Sequence, residues 1–380
     1  MRAAPPTAPE PIIGDLETRF ARVMEGFAAA WPGAVAVSGG GDSLALMHLL
    51  ARWAKKARKP PPAVLVVDHG LRPDSKKEAL ATARKARRLG LAAHVLRWTG
   101  PRPAGGIEAA AREARYRLMG AWLKRHKFAT LYVGHSEDDQ AETFLLRLAR
   151  GSGLDGLSAM RPLAPYPHAD FPGLTLARPL LTLSREELRA WLAALGEDWV
   201  EDPMNEDPRF DRVRMRRLAP ALAEVGLTPA RIALAAAHMA DAREALELVT
   251  AAVIERACRP APDGQGLLVD PAALAAAPRE LGLRALAALL QTVSGAAYRP
   301  RFAALERLYG RVAGGTLGGG ATLSGCRVGP APAGERVFGP ATLRIAAEKP
   351  RKNPGKGRQS SAKIHRQTAR QTGAKVARVR

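Results

Sequence analysis

Residues 34–43, with the sequence AVAVSGGGDS, decide the fold expected for this chain. The four apolar residues predict a buried parallel strand, and the run Leu44–Leu50 predicts the start of a helix. Three glycines between them let the backbone approach an anion, and the helix N-terminus adds unpaired N–H groups and a positive dipole. Ser38 and Ser43 supply hydroxyl donors, and Asp42 can hold Mg²⁺ on the same phosphates. The stretch therefore predicts a phosphate-binding loop at a strand–helix junction.

The residues of this loop narrow its type. No Gly-Lys-Ser/Thr follows, so it is not a Walker A loop, and the third glycine of a dinucleotide fingerprint would fall on Leu44. The pattern Ser-Gly-Gly-x-Asp-Ser resembles the loop of the N-type ATP pyrophosphatases, which split ATP into AMP and pyrophosphate. An ordinary glycine-rich turn is the alternative. The predicted ATP-binding residues of the loop are Ser38, Gly39, Gly40, Gly41, Asp42 and Ser43, of which Asp42 is also the predicted Mg²⁺ ligand.

The composition indicates a basic protein of two or three domains. The 380 residues carry 58 Lys and Arg against 36 Asp and Glu, a formal net charge of +22 at pH 7. Such a charge attracts polyanions, so nucleic acid is the expected partner and an anionic membrane surface the weaker alternative. Cys258 and Cys326 lack a Cys-x-x-Cys partner, which argues against a disulfide scaffold, a zinc knuckle or an iron–sulfur site. No apolar run is long enough to span a bilayer, and residues 1–11 lack a signal-peptide pattern, so we expect a cytoplasmic protein with no membrane partner.

Strand-like and helix-like segments alternate from about Ala34 to Arg150. This alternation predicts an α/β fold with a doubly wound parallel sheet that helices cover on both faces. Ligands of such sheets bind beyond the carboxyl ends of the strands. We therefore expect Ser38–Ser43, Asp68–Gly70 and Gly134–His135 to be neighbours across one crevice. The predicted strands are Ala34–Val37, Ala63–Val67, Ala93–Arg97 and Thr130–Val133, and the predicted helices are Leu44–Arg58, Ser75–Leu89 and Ile107–Lys127.

The chain is expected to divide into four regions. Residues 1–30 form an N-terminal extension with a lead-in helix, and residues 31–220 form the domain that carries the phosphate-binding loop. Residues 221–347 form a mostly helical second domain, helical over Thr228–Gly310, with a small β element in its glycine-rich end. Residues 348–380 are rich in Lys and Arg and have no acidic residue after position 348, so this tail is predicted to be disordered when free. It either adds attraction for RNA phosphates or is a solubilising extension.

Four acidic residues follow the fourth predicted strand, in the sequence GHSEDDQAET at 134–143. Ser136 with Asp139 three residues later is a capping-box pattern, which alone explains one or two of the carboxylates. Carboxylates beside a phosphate site repel phosphate unless a cation, Mg²⁺ or an ammonium group, lies between them. Asp139 and Glu142 share one helix face at i, i+3 spacing, which suits an amine pocket.

Three other segments allow both a functional and a structural interpretation. Asp68 and His69 end the second predicted strand and could contact the ribose or base of ATP, or could simply reverse the chain. The helix that contains Arg115 could bind phosphate or form a solvated charged face. The basic, glycine-rich stretch 147–153 suits an RNA backbone, although helix C-capping explains part of it.

Together these motifs resemble the tRNA(Ile)-lysidine synthase family, from about residue 33 to residue 220 and in family order. The first motif alone marks only the PP-loop superfamily, and the set marks the lysidine branch. The chain departs from the family pattern at Met204-Asn205, where the family has Ser-Asn, and at Arg212-Val213, where it has Arg-Asn. The matching stretches are SGGGDS at 38–43, DHGLRP at 68–73, AREARY at 111–116, GHSEDDQAET at 134–143, LRLARGSGLDGL at 146–157, RPLL at 178–181 and WVEDP at 199–203.

The resemblance implies an adenine-nucleotide alpha-hydrolase-like fold and a two-step reaction on tRNA. ATP would adenylate the C2 oxygen of the wobble cytidine in the CAU anticodon of tRNA(Ile), with Mg²⁺ near Asp42. The ε-amine of free L-lysine would then attack C2 and displace AMP. Asp139 and Glu142 would hold the lysine amine. His135 would accept its proton, and Arg115 would neutralise the adenylate phosphate. The tRNA contacts are expected from the second domain and from Arg147, Arg150, Arg212 and Arg214.

Three other functions share some of these features. A tRNA thiolase is the nearest alternative, but such enzymes generally need catalytic or cluster-binding cysteines, and none lies near the predicted crevice. Ammonia-using amidotransferases with the same loop have no need of so large a positive charge. A non-catalytic RNA-binding protein would need neither an intact phosphate loop nor residues 135–142. A homodimer and a monomer are both compatible with the sequence.

Overall fold

The computed structural model contains two compact units, which divide after Ala245. The division falls later than the boundary expected after residue 220, and the four-region organisation stays a prediction. The predicted basic tail and the departure at Met204-Asn205 lie outside the described residues. The structure describes residues 10–27, 31–100, 106–201, 211–296 and 298–348.

The first unit is built on a mixed β-sheet with helices on both faces. Its elements are α1 (Glu10–Glu25), β1 (Ala34–Ala36), α2 (Gly41–Lys56), β2 (Ala63–Asp68), α3 (Ser75–Arg88), β3 (Ala93–Arg97), α4 (Ile107–Arg125), β4 (Thr130–Tyr132), α5 (Glu137–Ala149), α6 (Leu154–Leu157), β5 (Leu163–Pro165), β6 (Thr175–Ala177), α7 (Arg185–Ala194) and α8 (Asp211–Glu224). Over the described residues the strand order is β3-β2-β1-β4-β6-β5. All neighbouring strands are parallel except β5 and β6.

Alternate strand residues pack on opposite faces of this sheet. Val35 and Val64 belong to a core cluster with residues of α1, α2, α3 and α7. Leu65 and Leu131 belong to a second cluster, which includes Met119 of α4. The apolar strands are therefore buried on both sides, as parallel strands between helix layers are. The prediction of a doubly wound α/β domain is confirmed.

The predicted strands and helices of this unit are present, with ends that shift by at most three residues. The sequence analysis missed β5 and β6, which have three residues each. So short a strand spans too few residues to show a two-residue period.

The switch point of the sheet lies between β1 and β4. From β1 the chain continues to β2 on one side and later returns to β4 on the other, so the carboxyl ends of β1 and β4 are adjacent. Gly134 follows β4 and lies close to α2. A Cβ atom at Gly134 would stand 2.9 Å from the carbonyl oxygen of Asp42 and 3.0 Å from the Cα atom of Ser43. The phosphate loop and the segment Gly134–His135 therefore meet in one crevice, as predicted.

The second unit combines helices with an antiparallel sheet. A long helix, α9 (Pro229–Ala257), crosses the division between the units. The elements that follow are β7 (Cys258–Pro260), β8 (Leu267–Val269), α10 (Pro271–Ala276), α11 (Arg279–Ser294), α12 (Phe302–Ala313), β9 (Ala321–Leu323), β10 (Cys326–Pro330) and β11 (Leu343–Ala347). Over the described residues the strand order is β7-β8-β11-β10-β9, and every pair is antiparallel.

The predicted β element at the glycine-rich end is confirmed by β9, β10 and β11. The helical periodicity over Thr228–Gly310 gave no sign of β7 and β8, because pairing of β8 with the distant strand β11 overrides local helix preference. Among the described residues no single helix is long and apolar enough to cross a bilayer, and α8 and α9, bent by 100°, satisfy length and composition only as a pair.

The close approach of Gly134 to α2 gives a stability prediction. We expect Gly134→Ala to lower the free energy of unfolding by about 1–3 kcal/mol, because the new methyl group overlaps the backbone of Asp42 and Ser43. Urea denaturation measures the change. The control is Gly14→Ala in α1, where no atom lies within 4 Å and a gain of roughly 0.5–1 kcal/mol is expected. Equal stability of the two variants would contradict the close packing.

Candidate active site

The hydroxyl groups of the phosphate loop fix its shape. The Oγ atom of Ser43 donates to the carbonyl of Gly40 at 2.9 Å and accepts the N–H of Ser38 at 3.1 Å. The Oγ atom of Ser38 accepts the N–H of Gly40 at 3.4 Å and lies 3.1 Å from the hydroxyl of Ser43. Gly39 has a φ of +96°, which glycine adopts without strain. The two predicted serines therefore also hold the loop in its conformation.

The N-terminus of α2 faces this loop without a side-chain cap. The N-cap residue is Gly40, which makes no side-chain hydrogen bond to the first turn. The N–H groups of Gly41, Asp42 and Ser43 are therefore not satisfied by a cap. Together with the helix dipole they form the kind of site that binds phosphate.

Three carboxylates converge on one guanidinium in front of the loop. Arg185, the first residue of α7, has its Nε atom 3.2 Å from Oδ2 of Asp42. Its Nη2 atom lies 3.4 Å from Oδ1 of Asp139, and its Nη1 atom lies 3.4 Å from Oε1 of Glu142. None of the four side chains is more than 19% exposed. In the structure, the cation between the phosphate loop and the acidic helix is an arginine of the chain itself.

A second arginine holds one member of this carboxylate cluster. Arg216 of α8 places Nε 2.6 Å from Oε1 of Glu142 and Nη2 3.3 Å from Oε2 of the same residue. Burial raises the pKa of Asp42, and Arg185 opposes that rise. Burial would lower the pKa of Arg185, but the surrounding carboxylates outweigh it and raise that pKa above its ordinary value. With both arginines charged the cluster keeps a formal charge of −1, which favours a cationic ligand.

The start of α5 serves both the helix and the cluster. The Oδ2 atom of Asp139 accepts the N–H of Ser136 at 3.0 Å, which confirms the capping-box pattern. The Oδ1 atom of the same carboxylate faces Arg185. Asp138 accepts the backbone N–H of Arg185 at 2.7 Å and so caps the neighbouring helix α7. The acidic residues of α5 therefore position Arg185 through its backbone as well as its side chain.

One oxygen of the cluster has the properties of a metal ligand. The Oδ1 atom of Asp42 is buried and has no hydrogen-bond partner in the described part of the chain. No group of three or more His, Cys, Asp or Glu side chains in that part could hold a metal ion. Mg²⁺ commonly takes one or two carboxylate ligands and completes its shell with substrate phosphates and water. Asp42 fits this role as the protein ligand of a phosphate-bound Mg²⁺.

His135 lies directly after β4, next to the cluster. Burial lowers its pKa to about 4; Asp139 opposes this shift, and Arg178 and Arg212 add to it. The imidazole is therefore neutral at pH 7, and its buried Nδ1 atom has no hydrogen-bond partner among the described residues. A neutral imidazole can accept a proton, although a pKa of about 4 makes it a weak base.

Arg115 and His69 contact each other at the carboxyl end of β2. The Nη2 atom of Arg115 lies 3.3 Å from Nε2 of His69. Burial and the charge of Arg115 lower the pKa of His69 to about 4, so this imidazole is neutral and acts as an acceptor. No carboxylate of the described residues forms an ion pair with Arg115, whose side chain stays accessible to solvent. An anionic ligand could therefore pair with it.

The carboxylate of Asp68 forms hydrogen bonds within its own turn. It is 3% exposed, and its Oδ1 atom accepts the N–H of Gly70 at 2.9 Å and the hydroxyl of Ser75 at 2.8 Å. These bonds hold the turn that leads into α3. The turn interpretation is supported, and the contact of Asp68 with ATP stays a prediction.

The four arginines predicted to bind tRNA differ in their contacts. Arg147 donates to the carbonyl oxygens of Gly156 in α6 and of Ala159 just after it, at 2.7 and 3.0 Å, and so has a structural role. Arg150 and Arg214 both bond to Asp211, and all three side chains are substantially exposed. Arg212 is exposed and close enough to lower the pKa of His135.

The sequence analysis missed Arg185, Arg216 and Arg178. Arg178 donates to the carbonyl of Arg161 at 2.8 Å, and its buried Nε atom has no partner among the described residues. The sequence did contain one signal for Arg185. The capping-box pattern of Ser184 and Glu187 predicts the start of a helix, which places Arg185 in its first turn. A cation is unfavourable there because of the helix dipole, so its presence indicates carboxylates nearby.

The first stability prediction for the cluster concerns Arg185→Gln. We expect the free energy of unfolding at pH 7 to fall by roughly 3–5 kcal/mol, because three largely buried carboxylates lose their shared cation. Burial already raises the pKa of Asp42, and in the variant that carboxyl also loses the arginine that opposes the rise. A folded state that binds more protons gains stability as the pH falls, so the loss should shrink toward pH 4.

The control for this variant is Arg52→Gln, which breaks an exposed pair whose Nε–Oε1 distance to Glu17 is 2.6 Å. Its expected cost is at most about 1 kcal/mol. Urea denaturation of both variants at pH 7 and pH 5 provides the comparison. Similar losses in the two variants, or a pH-independent loss for Arg185→Gln, would contradict the cluster.

His135 gives a separate pH prediction. Its folded-state pKa of about 4 lies below the ordinary value of 6.5, so the unfolded chain takes up the proton first. The stability is fully present above pH 6.5 and is lost as the pH falls toward 4, by at most about 1.4 kcal/mol per pH unit. His135→Gln should make this loss less steep, whereas the exposed control His238→Gln should not. Identical pH profiles for wild type and His135→Gln would show that the histidine is not held neutral.

Comparisons with known proteins agree on one family. The family model ATP_bind_3, described as a PP-loop domain, matches residues 15–222. The tRNA(Ile)-lysidine synthase of Bradyrhizobium sp. (strain BTAi1 / ATCC BAA-1182) is 41% identical over 338 residues, covering 82% of this chain and 93% of that protein. The synthase of Methylobacterium nodulans is 42% identical, covering 79% of this chain and 88% of that protein. The synthase of Ruegeria pomeroyi is 43% identical, and the match spans 70% of this chain and 62% of that protein.

Among solved structures, the U34-tRNA thiolase NcsA from Methanococcus maripaludis aligns with a TM-score of 0.49 at 15% identity. The alignment covers 61% of this chain and 80% of that chain. Because the PP-loop model matches more than half of the chain and two synthases are matched over most of their length, the chain belongs to the tRNA(Ile)-lysidine synthase family of PP-loop proteins.

Proposed function

We propose that this chain joins free L-lysine to C2 of the wobble cytidine in the CAU anticodon of tRNA(Ile), with cleavage of ATP to AMP and pyrophosphate. One observation carries the proposal: the phosphate loop and the acidic helix meet at Arg185. Asp42 of the loop and the pair Asp139 and Glu142 of α5 all contact its guanidinium. A nucleotide on the loop and an amine on α5 would therefore be neighbours, as a ligase of these two substrates requires.

The first step is adenylation of the cytidine. Its C2 oxygen attacks the α-phosphate of ATP, and pyrophosphate leaves. The uncapped N–H groups at the start of α2 would stabilise the charge that builds on the leaving group. Mg²⁺ held by Asp42 would supply further charge neutralisation. Arg115, accessible and without a carboxylate partner among the described residues, would pair with the phosphate of the adenylate.

The second step is attack of the lysine ε-amine on C2, with AMP as the leaving group. Asp139 and Glu142 would orient the amine, which must displace some contacts of Arg185. The distances from the guanidinium nitrogens of Arg185 to the carboxylate oxygens run from 3.2 to 3.5 Å, longer than the 2.7–2.9 Å typical of charge-assisted bonds. The bond of Arg216 to Glu142 is 2.6 Å. Arg185 is therefore the exchangeable cation and Arg216 the fixed one. His135, neutral at pH 7, would accept the proton that the amine loses.

The thiolase alternative gains no support from the cysteines. Cys258 belongs to β7, and Cys326 is buried in the core of the second unit. Neither belongs to the unit that carries the phosphate loop. The free cysteines therefore do not suggest a sulfur carrier in the phosphate-loop crevice.

Transfer of labelled lysine tests the proposed reaction. We expect incorporation of the label into an unmodified CAU-anticodon tRNA(Ile) transcript with ATP and Mg²⁺, matched by AMP release. A methionine tRNA with the same anticodon is the control, and it should stay unlabelled. Pyrophosphate release without incorporation would keep the adenylation step and refute lysine as the nucleophile. The absence of both labelled tRNA and pyrophosphate would refute the proposal as a whole.

The amine pocket is tested by Glu142→Gln. We expect an increase of about 10–100-fold in the KM for lysine, because the variant loses a charged partner of the ammonium group. Lysine-independent pyrophosphate release should persist. Glu137→Gln removes a carboxylate from the same helix but from outside the cluster, and it should leave the KM unchanged. An unchanged KM in Glu142→Gln would remove this residue from the amine pocket.

A further inference from the structure

Exposed aromatic side chains occur at a single place in the described part of the chain. Tyr298 is 87% exposed and Phe302 is 61% exposed, whereas the other large apolar side chains at the surface are Leu or Val. The two rings are four residues apart in the segment YRPRF at 298–302, which we call the YRPRF segment. It joins α11 to the first residue of α12.

The core of the second unit does not use these rings. Leu305, Leu308 and Tyr309 of α12 are buried in that core, and Phe302 precedes them at the open end of the helix. Burying an aromatic side chain contributes roughly 1.5–3 kcal/mol, a gain that both exposed rings forgo. Two large aromatic side chains left exposed within five residues are candidate contacts for a binding partner.

The charge around the rings favours a polyanion over a protein partner. The YRPRF segment contributes the exposed Arg301, and no acidic residue lies between Glu280 and Glu306 in the sequence. Those two carboxylates are already engaged, since Arg284 bonds to Glu280 and Arg279 bonds to Glu306. The segment is therefore electropositive, in a chain whose formal net charge is +22.

We propose that the YRPRF segment is an RNA-binding surface, on which unpaired bases of the tRNA stack against Tyr298 and Phe302. Arg301 would pair with a flanking phosphate. Aromatic faces accept any base, but bases inside a duplex are already stacked, so the ligand is an unpaired stretch. The surface lies outside every motif by which the family was recognised. The identity of the RNA rests on the function proposed above.

The test uses the full chain with Tyr298→Ser and Phe302→Ser combined. We expect the Kd for the unmodified tRNA(Ile) transcript to rise about 10-fold or more, since stacking contributes roughly 1–3 kcal/mol per base. The salt dependence of Kd should keep its slope, because the rings carry no charge. Arg301→Gln should instead make that slope shallower by about one. Val337→Ser, at a side chain 58% exposed in the same unit, is the control and should bind as wild type does.

The readouts separate this surface from the proposed reaction. At saturating tRNA the double variant should incorporate lysine at the wild-type rate, with only the KM for tRNA raised. An unchanged Kd in the double variant, with active wild type, overturns the surface and assigns the rings to another partner. If the wild-type protein does not incorporate lysine, the proposed reaction is refuted. The Kd values of the wild type and the double variant for the tRNA still test the proposed RNA-binding surface. If the double variant fails to fold, an unchanged salt slope in Arg301→Gln overturns the proposal.

Discussion

The ion pairs of Arg185 are the interaction on which the candidate site depends. A phosphate-binding loop and three carboxylates within a few ångströms of each other are electrostatically incompatible without a cation between them. Arg185 resolves the conflict because it contacts Asp42, Asp139 and Glu142 at once. Its own place is set by Asp138, which accepts its backbone N–H at 2.7 Å. The start of α7 is therefore held to the start of α5 through both backbone and side chain.

The fold brings these groups together through its topology. The order β3-β2-β1-β4 makes the carboxyl ends of β1 and β4 adjacent, and each end leads directly into a helix. Gly134 lets the segment before α5 pack closely against the start of α2. The site offers charge of both signs to its ligands. The start of α2 and Arg115 suit an anion, whereas the carboxylate cluster with its net negative charge suits a cation. A reaction that joins a nucleotide-activated base to an amine needs both.

Sequence reasoning succeeded where the physics is local. The glycine-rich turn after β1, the uncapped helix start and the i, i+3 spacing of Asp139 and Glu142 can be derived from a few consecutive residues, and the structure contains all three. Prediction from the sequence failed for residues and strands whose contacts lie far away in the sequence. Arg185 lies 43 residues after Glu142 in the sequence, and no periodicity links the two. The strands β7 and β8 were missed for the same reason, since β8 pairs with β11 across most of the second unit. Asp68 shows the remaining difficulty, because a turn and a ligand contact use the same residue types.

A double-mutant cycle between Asp42→Asn and Arg185→Gln tests the central electrostatic claim most directly. The two residues come from different helices, and their contact joins the phosphate loop to the carboxylate cluster. Unfolding free energies of the wild type, both single variants and the double variant give the coupling. We expect a favourable coupling of about 1–3 kcal/mol, because each single variant leaves the charge of its partner unpaired. Additivity to within about 0.5 kcal/mol would show that Asp42 and Arg185 are not coupled and that the ion pair does not join the loop to the cluster.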